Sequence, residues 1–431
     1  MITPLHHGDS NFNAGLLTAH KLQPINTTIT LSDANRIWDV IVVGAGPGGS
    51  VAARQLALLG SSVLLVDRAS FPRSKVCGSC LNGNALATLD SLGLGHLIAA
   101  NGAVPLRKFQ LSVRKRTASL QIPTGVALSR IRLDVALVNA AIDAGAQFLP
   151  ETNIVVEQNL TRNKKYRYVT ARCGSGQSLL KARIVVAADG LGARRVDPKD
   201  PTRSQIIDRH SRVGAGVMLE KIHVPDWCKP GVVFMCCGKG GYVGLVVLED
   251  GRLDVAAALD PMSLLSLETE KNQSRPGILA TSIIVESGLP RIDNLVYAPW
   301  RGTTQLTRRP KQVADHRMFV IGDAAGYVEP FTGEGIAWAL ATGAAVAPLA
   351  HKASQQWQPA FVDYWCKSHA GLIGRRQRIC RLMGQLLRHP GLVGLAVSAI
   401  NIAPAIARPI FNQLNATTLD CTTNRRLPEL A

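Results

Sequence analysis

The stretch Asp39-Val-Ile-Val-Val-Gly44-Ala-Gly46-Pro-Gly48-Gly49 decides the fold of this chain. Its apolar residues predict a short buried strand, and glycines 44, 46 and 49 follow it in the spacing G-x-G-x-x-G. A helical pattern begins immediately afterwards, and a second apolar run, 63–66, ends at Asp67. A strand, a glycine turn, a helix, a second strand and an acid in this order predict a βαβ unit that binds a dinucleotide.

Each part of this motif has a physical role in binding. Gly44 permits the tight turn, Gly46 lets the backbone approach a pyrophosphate without a Cβ between them, and Gly49 lets helix and strand pack closely. The helix N-terminus offers free N–H groups and a partial positive charge to the phosphates. We expect Asp67 to accept hydrogen bonds from ribose hydroxyls.

Length and composition limit the class of protein. The 431 residues are 46% hydrophobic, which is enough for one large or two medium domains. The nine cysteines form an odd set without regular spacing, which favours a reducing, cytoplasmic location over a disulfide framework. We expect residues 1–36 to form a flexible extension, because they are polar and lack the apolar core of a signal peptide. No apolar run reaches the roughly 20 residues that a membrane span requires.

The chain carries a net charge of +18, from 48 basic and 30 acidic residues. The basic residues are scattered and aromatic residues make up only 5%, so we expect no nucleic-acid partner. An anionic cofactor, an anionic substrate or an acidic membrane surface fits this charge better.

The C-terminal part, from Tyr364 to Thr418, contains no acidic residue. Apolar residues recur there at helical spacing at positions 379, 382, 383, 386 and 387, and Arg378, Arg381 and Arg388 fall on the opposite face. Two interpretations stay open: the apolar stripe packs on the body of the protein, or it makes peripheral contact with a membrane surface.

Two further segments end in an acid after a buried strand. They are Ile184-Val-Val-Ala-Ala-Asp189-Gly190 and Met318-Phe-Val-Ile-Gly322-Asp323. In open α/β sheets ligands bind at the carboxyl ends of the strands. We therefore expect both acids to lie beside the glycine turn.

These three motifs, in this order, resemble the single-Rossmann flavoproteins of the para-hydroxybenzoate hydroxylase type. That superfamily includes aromatic hydroxylases, flavin halogenases and geranylgeranyl reductases, and the resemblance covers roughly residues 37–350. It implies an α+β fold in which a Rossmann-like FAD-binding domain is interleaved with an antiparallel-sheet substrate domain and followed by C-terminal helices. The expected boundaries are 37–104, 124–204 and 300–350 for the FAD-binding domain, 105–123 and 205–299 for the substrate domain, and 351–431 for the helices.

The resemblance also assigns the residues that would hold FAD. Arg130 would lie near the flavin, Asp323 would bond the ribityl chain, and the helix opened by Gly333 and Gly335 would point its N-terminus at the flavin N1/C2 carbonyl. The complete implied set is Gly44, Gly46, Gly49, Asp67, Arg130, Asp189, Gly190, Gly322, Asp323, Gly333 and Gly335.

Two segments resemble the geranylgeranyl reductase branch in particular, namely Gly333-Glu334-Gly335-Ile336 and Phe71-Pro72-Arg73-x-Lys75-Val76-Cys77-Gly78. That branch also carries Gly-Tyr-x-Trp-x-Phe-Pro on a substrate-domain strand. Here only Gly241-Tyr242 remains, and Gly244 stands at the Trp position. Three interpretations result: a double-bond reductase of a hydrophobic substrate (isoprenoid, acyl or polyketide-like), an FAD monooxygenase of a hydrophobic or aromatic substrate, and a non-catalytic flavin-binding protein.

Three residues are candidates for catalysis. The resemblance makes Cys77 a pocket residue near the isoalloxazine, Tyr242 could donate a proton or belong to the core, and Glu334 could act as an acid or simply favour the helix dipole. Cys77 and Cys80 have C-x-x-C spacing, but we reject a metal site because no further ligands are suitably spaced.

The source of electrons stays open. Gly238-x-Gly240-Gly241-x-x-Gly244 has no helix after it and predicts a hairpin turn, so no second dinucleotide fingerprint is present. We expect either NAD(P)H bound transiently or an electron-donor partner.

Overall fold

A computed structural model describes residues 22–157, 165–192, 205–329, 331 and 333–403. The strands are β1 (Ile37–Val43), β2 (Val63–Val66), β3 (Cys80–Asn82), β4 (Val104–Pro105), β5 (Lys108–Val113), β6 (Arg116–Gln121), β7 (Gly125–Ala127), β8 (Gln147–Leu149), β9 (Thr152–Glu157), β10 (Arg167–Cys173), β11 (Gly176–Ala187), β12 (Gln205–Ile207), β13 (Val213–Leu219), β14 (Val232–Gly238), β15 (Gly241–Val247), β16 (Leu253–Leu259), β17 (Arg301–Gln305), β18 (Arg308–Pro310), β19 (Ala314–Asp315) and β20 (Met318–Val320). The α-helices are α1 (Pro47–Leu58), α2 (Gly83–Ser91), α3 (His96–Ala100), α4 (Arg130–Asp143), α5 (Pro261–Leu265), α6 (Arg275–Ser287), α7 (Asn294–Tyr297), α8 (Glu334–Gln355), α9 (Ala360–Leu386) and α10 (Pro390–Ile402).

The first large sheet is the Rossmann-like one. Its order is β19-β20-β11-β1-β2-β8, and β20, β11, β1, β2 and β8 run parallel to their neighbours. Helices α1, α4 and α8 cover one face, where their apolar residues pack against alternate residues of β1 and β2. The antiparallel strands β9 and β10 extend from β11 and cover the other face. The arrangement confirms the predicted α+β fold.

Helices α1 and α8 cross very closely, and two glycines make this approach feasible. A Cβ on Gly48 would lie 2.8 Å from the carbonyl oxygen of Ala339, and a Cβ on Gly343 would overlap the backbone of Gly48. The crossing brings the N-terminal ends of both helices to the same edge of the sheet, where β1 ends.

The second large sheet is antiparallel apart from one pair of strands. Its order is β17-β13-β16-β15-β14-β5-β6, and only β14 and β5 pair in parallel. Helix α6 and its neighbours cover one face, and the other face turns toward the first sheet. Strand β17 pairs with β13, so the chain leaves this sheet after Gln305, whereas we expected the boundary at residue 300.

The N-terminal segment from residue 22 lies against the first sheet. Ile25 N–H donates to the carbonyl of Phe71, Thr28 N–H donates to that of Phe148, and Ala34 is fully buried. The extension expected over 1–36 therefore includes a packed part, 22–36, and its first 21 residues lie outside the described ranges.

The start of α9 packs against the core of the first sheet, whereas the end of α9 and the helix α10 lie beside the second sheet. Leu387, Val393 and Val397 are buried there, and Met383 and Leu386 pack against the same cluster. Within the described residues, no helix has both the length and the apolarity needed to cross a bilayer.

Candidate functional site

The carboxyl ends of four adjacent parallel strands form one edge of the first sheet. In spatial order these strands are β20, β11, β1 and β2, and they lead into Gly322-Asp323, Asp189, Gly44 and Asp67. The three motifs, which are far apart in the sequence, therefore meet at a single site. Parallel strands place ligands at this edge.

The glycine turn is fixed by close backbone contacts. Gly44 has a φ of 104°, and a Cβ there would overlap the carbonyl oxygen of Ala188. A Cβ on Gly49 would overlap the carbonyl oxygen of Gly44. The Asp67 carboxylate holds the turn from the side, because Ala45 N–H and Ala69 N–H donate to it at 2.8 and 3.0 Å.

Gly46, in contrast, faces open space bordered by two cations. A Cβ built there would have the Nη2 atoms of Arg73 and Arg130 as its nearest neighbours, each at 3.8 Å. Asp134 fixes both guanidinium groups, with two 2.8 Å hydrogen bonds from Arg130 and a 3.4 Å contact to Arg73. Two oriented guanidinium groups beside an uncovered glycine backbone fit the pyrophosphate of FAD.

A third cation lies at the ends of β11 and β20. Lys75 Nζ is 3.6 Å from Asp323, and it would be 3.3 Å from a Cβ on Gly190. Burial lowers the pKa of Lys75, and the Asp323 carboxylate opposes this shift. Lys75 and Asp323 thus place a donor and an acceptor side by side, an arrangement that suits the hydroxyl groups of a ribityl chain.

The N-terminus of α8 completes this end of the site. Gly333 caps the helix with a φ of 73°, and Gly335 lies against the ring of Tyr327, 3.2 Å from where its Cβ would be. Both glycines line the cavity, so the unpaired N–H groups of the first helical turn face into it. This placement suits a partial negative charge on a reduced flavin.

Glu334 does not line the cavity, so the geometry does not support its interpretation as a catalytic acid. Its side chain is fully buried, ion-paired with Arg376 at 3.3 Å, and accepts a hydrogen bond from Asn82 at 3.1 Å. Burial raises the pKa of Glu334, whereas Arg376 lowers it. The residue fastens α8 to α9 and to the start of α2 from behind the cavity wall.

A cavity of about 1100 Å³ extends from the strand ends to the second sheet. Its cofactor end includes Gly46, Asp189, Asp323 and Gly333. Its far end reaches Met383 on α9 and Ile400 on α10. The wall between them is apolar and comprises Leu106, Phe109, Leu111, Leu120, Ile122, Val233, Met235, Tyr242, Val246, Ala256, Ala258 and Phe331.

Cys77 and Tyr242 both line this cavity. The Cys77 thiol lies beside the Arg130 guanidinium, and burial raises its pKa. Tyr242 is 6% exposed, packs edge-on against Phe331 and lies under the Arg212 guanidinium. Burial raises the pKa of Tyr242 well above its ordinary value, so this phenol stays protonated. Cys77 and Cys80 are both free thiols.

Several site residues have no assignment from the sequence. Arg73 and Lys75 belong to the segment Phe71–Gly78 quoted above. Their role could have been predicted because both are basic and follow Asp67, the acid at the end of the second strand. Asp134 follows Arg130 at helical i,i+4 spacing, which favours an ion pair. The signal for Asp254 was an acid at a cavity-facing position of an otherwise apolar strand.

Two relatives by sequence are named as reductases. The chain is 28% identical over 379 residues to a menaquinone reductase of Mycobacterium tuberculosis, covering 82% of this chain and 84% of that protein. It is 26% identical over 363 residues to digeranylgeranylglycerophospholipid reductase 1 of Methanothermobacter thermautotrophicus, covering 80% of this chain and 82% of that protein.

Solved structures share the fold at lower identity. A flavoprotein/dehydrogenase from Cytophaga hutchinsonii superposes with a TM-score of 0.71 at 18% identity, covering 88% of this chain and 93% of that one. A p-nitrophenol 4-monooxygenase from Pseudomonas putida superposes with a TM-score of 0.69 at 16% identity, covering 91% of this chain and 100% of that one.

A family model described as an FAD binding domain matches residues 38–348, which include all the strand ends and glycine turns of the site. The residues present fit the cofactor, since the open glycine and the two guanidinium groups suit its pyrophosphate and the acids at the strand ends suit its hydroxyl groups. The chain therefore belongs to the FAD binding domain family and is an FAD-dependent oxidoreductase.

Proposed function

We propose that the protein reduces a carbon–carbon double bond of an isoprenoid lipid. The observation that carries this proposal is the single cavity that leads from the cofactor site, along an apolar wall, to the C-terminal helices. Burial of apolar surface is the main source of affinity in such a cavity, so a prenyl chain fits it better than a small acid. The reductases among the relatives support the same substrate class.

The residues of the chain divide the work between two ends of the cavity. Arg73, Arg130 and Lys75 would hold the cofactor, which supplies a hydride in its reduced state. The apolar wall would hold the lipid and exclude water from the reacting carbons. Cys77 and Tyr242 lie where these two ends meet and would orient the double bond.

Gly244 marks the part of the wall that selects the substrate. It lines the cavity at the position where the reductase branch carries Trp, and its Cβ would make only an ordinary 3.4 Å contact with Met235. We propose that this gap accommodates a bulky group attached to the prenyl chain. Gly244→Trp should fill the gap, lower turnover of a prenylated quinone, and leave FAD content unchanged.

The proposed reaction is tested by mass spectrometry of its product. The holoprotein is reduced without oxygen and mixed with menaquinone that has a short prenyl chain, and parallel samples receive p-hydroxybenzoate as a compact charged control. We expect flavin reoxidation and, after air has reoxidised any quinol in the product to the quinone, a lipid that is still heavier by two hydrogen atoms. A product that gains one oxygen atom in air would instead make the protein a monooxygenase.

We also propose that electrons reach the cofactor from NAD(P)H bound transiently or from a partner protein. The glycine-rich segment 238–244 supports this, because it forms the turn between β14 and β15 and not the glycine turn of a second dinucleotide-binding unit. Anaerobic mixing with NADH or NADPH separates the two donors: rapid bleaching of the flavin identifies the nicotinamide, and its absence favours a partner.

A further inference from the structure

The loop Lys75–Cys80 crosses the inner face of the second sheet, and small residues make room for it. A Cβ on Gly216 would lie 3.0 Å from Val76, and a Cβ on Gly78 would lie 4.0 Å from that of Ala256. The next loop residue, Ser79, meets the sheet at Asp254, where the small residues end. Its side chain faces the Asp254 carboxyl group and lowers the pKa of that group.

Ser79 is held in one orientation by its backbone. Its φ of 50° is in the left-handed region, which costs free energy for a residue with a Cβ. Leu128 N–H donates to the Ser79 carbonyl at 2.9 Å and fastens the loop in this conformation. Ser79 is 2% exposed and lines the cavity in which a substrate would bind.

Asp254 is an acid in an apolar wall. It is 7% exposed on β16, in line with the cavity-lining residues Ala256 and Ala258 on the same face of the strand. Its Oδ2 atom is buried and has no hydrogen-bond partner among the described residues. A buried carboxylate without a cation in contact is costly, so such a group beside a cavity indicates a function.

Burial and the groups that face Asp254 hold its pKa close to neutral pH. Burial raises its pKa to about 7, Ser79 and Arg252 lower it, and Glu249 raises it. Glu249 itself is 3.3 Å from Arg132 on α4, and from the loop side Asp254 is faced by the thiols of Cys77 and Cys80. An acid with this pKa can release a proton and recover it at the same pH.

We propose that Asp254, acting through the Ser79 hydroxyl, supplies the proton that completes reduction of the substrate. This step rests on the proposed reductase function. When one alkene carbon accepts a hydride, the electron pair of the broken π bond takes the proton of the Ser79 hydroxyl and forms the second C–H bond. The Ser79 oxygen takes the proton of Asp254, which remains as a carboxylate until solvent returns a proton.

The variants separate proton supply from positioning. Asp254→Asn keeps the size of the side chain and an acceptor for the Ser79 hydroxyl but removes the acidic proton. Asp254→Glu restores an acid, Ser79→Ala interrupts the relay, and Asp143→Asn removes an exposed carboxylate from the last turn of α4 as a control. FAD content and thermal stability are measured for every variant.

The assay is a single turnover of the reduced holoprotein with short-chain menaquinone from about pH 5 to about pH 9. The rate at which the saturated prenyl chain forms is measured by mass spectrometry of quenched samples after air has reoxidised any quinol. We expect the wild-type rate to fall as the pH rises past about 7. Asp254→Asn and Ser79→Ala should be slower by about 100-fold and lose this pH dependence. Asp254→Glu should regain part of the rate and part of the pH dependence. Asp143→Asn should match wild type in both.

The results test two proposals separately, the proton relay through Ser79 and the reductase function on which it rests. Normal turnover and an unchanged pH profile in Asp254→Asn would overturn the proton relay and leave the reductase in place. A wild-type protein that binds FAD but reduces no lipid would overturn the reductase function and this step with it. If Asp254→Asn does not fold, Ser79→Ala decides: a slow rate with a flat profile supports the relay, and a wild-type profile refutes it.

Discussion

At the scale of single residues, the buried pair of Glu334 and Arg376 separates a structural role from a catalytic one. Their side chains are 0% and 9% exposed, so Glu334→Ala removes a buried ion-pair partner of Arg376 and a hydrogen-bond acceptor of Asn82. Glu334→Ala should lower the free energy of unfolding by about 3 kcal/mol. Denaturant unfolding of the apoprotein measures the loss.

The same variant also tests that Glu334 has no part in the chemistry. The pH profile of lipid reduction should keep its wild-type shape in Glu334→Ala at a temperature where the variant is folded. A changed profile would return Glu334 to the list of catalytic candidates.

The Asp254 carboxyl group should make stability depend on pH. Its pKa of about 7 in the folded protein exceeds the ordinary 3.8, so the folded state binds this proton more tightly than the unfolded state. Its contribution to stability is therefore lost as the pH rises from about 4 to about 7. Asp254→Asn avoids this loss, so its Tm should exceed that of wild type by several degrees at about pH 8 and by much less at about pH 5. An equal Tm difference at both pH values would show that Asp254 is not protonated in the folded state.

Residue roles were predictable from the sequence only where a backbone requirement left a pattern. Gly44 is required by its positive φ and Gly49 by its contact with the Gly44 carbonyl, and both requirements appear in the sequence as the glycine spacing. Asp254 and Ser79 are neighbours only because a loop of the first domain crosses a strand of the second, and no local pattern encodes such a contact. The buried position of the Glu334 side chain was not predictable, because its place at a helix start says nothing about which way its side chain turns.

At the scale of secondary structure, α9 and α10 divide their apolar residues between the core and the surface. Leu387, Val393 and Val397 are buried, whereas Leu382, Leu392, Leu395 and Ile402 are 66%, 51%, 63% and 87% exposed. Arg378 and Arg381 are exposed as expected from the helical spacing. Arg388 differs, because it bends toward the carbonyl of His210 and lies 4.0 Å from Asp260.

We propose that this exposed surface rests on an anionic membrane, with the cavity end at Met383 and Ile400 beneath it. Each Lys or Arg near such a surface contributes about 1 kcal/mol before screening, and the exposed leucines add apolar burial. The protein should float with anionic liposomes at low salt and be released at high salt. Arg378→Gln with Arg381→Gln should weaken flotation, whereas Lys229→Gln with Lys271→Gln, which removes the same charge elsewhere, should not. Wild type that stays at the bottom of the gradient would contradict this proposal.

The elements themselves were largely predictable, because their periodicity is strong. The strands of the second sheet alternate between the two faces, and the glycine turns at 240–241 and 250–251 mark its hairpins. The addition of β17 to this sheet was not predictable, since its residues, Arg-Gly-Thr-Thr-Gln, are polar and half-exposed. Its place is decided by pairing with β13, which is distant in the sequence.

At the scale of the whole molecule, two sheets and a crossing loop build one cavity with a polar end and an apolar end. The polar end follows from the parallel strands of the first sheet, because their carboxyl ends meet at one edge. The apolar end needs the second sheet to face the first, and this arrangement depends on contacts between distant segments. The sequence therefore predicts the cofactor more firmly than it predicts the substrate.

The most direct test of the central claim is to measure FAD binding and apoprotein stability together in three glycine variants. Gly46 borders open space, so Gly46→Val should keep the Tm of the apoprotein yet lose bound FAD, because its side chain would occupy the pyrophosphate position. Gly49→Ala should lower the Tm itself, since its Cβ overlaps the Gly44 carbonyl, and Gly374→Ala, with no atom within 4 Å of its Cβ, should change neither. Full FAD occupancy in Gly46→Val would contradict the assignment of this turn to the cofactor.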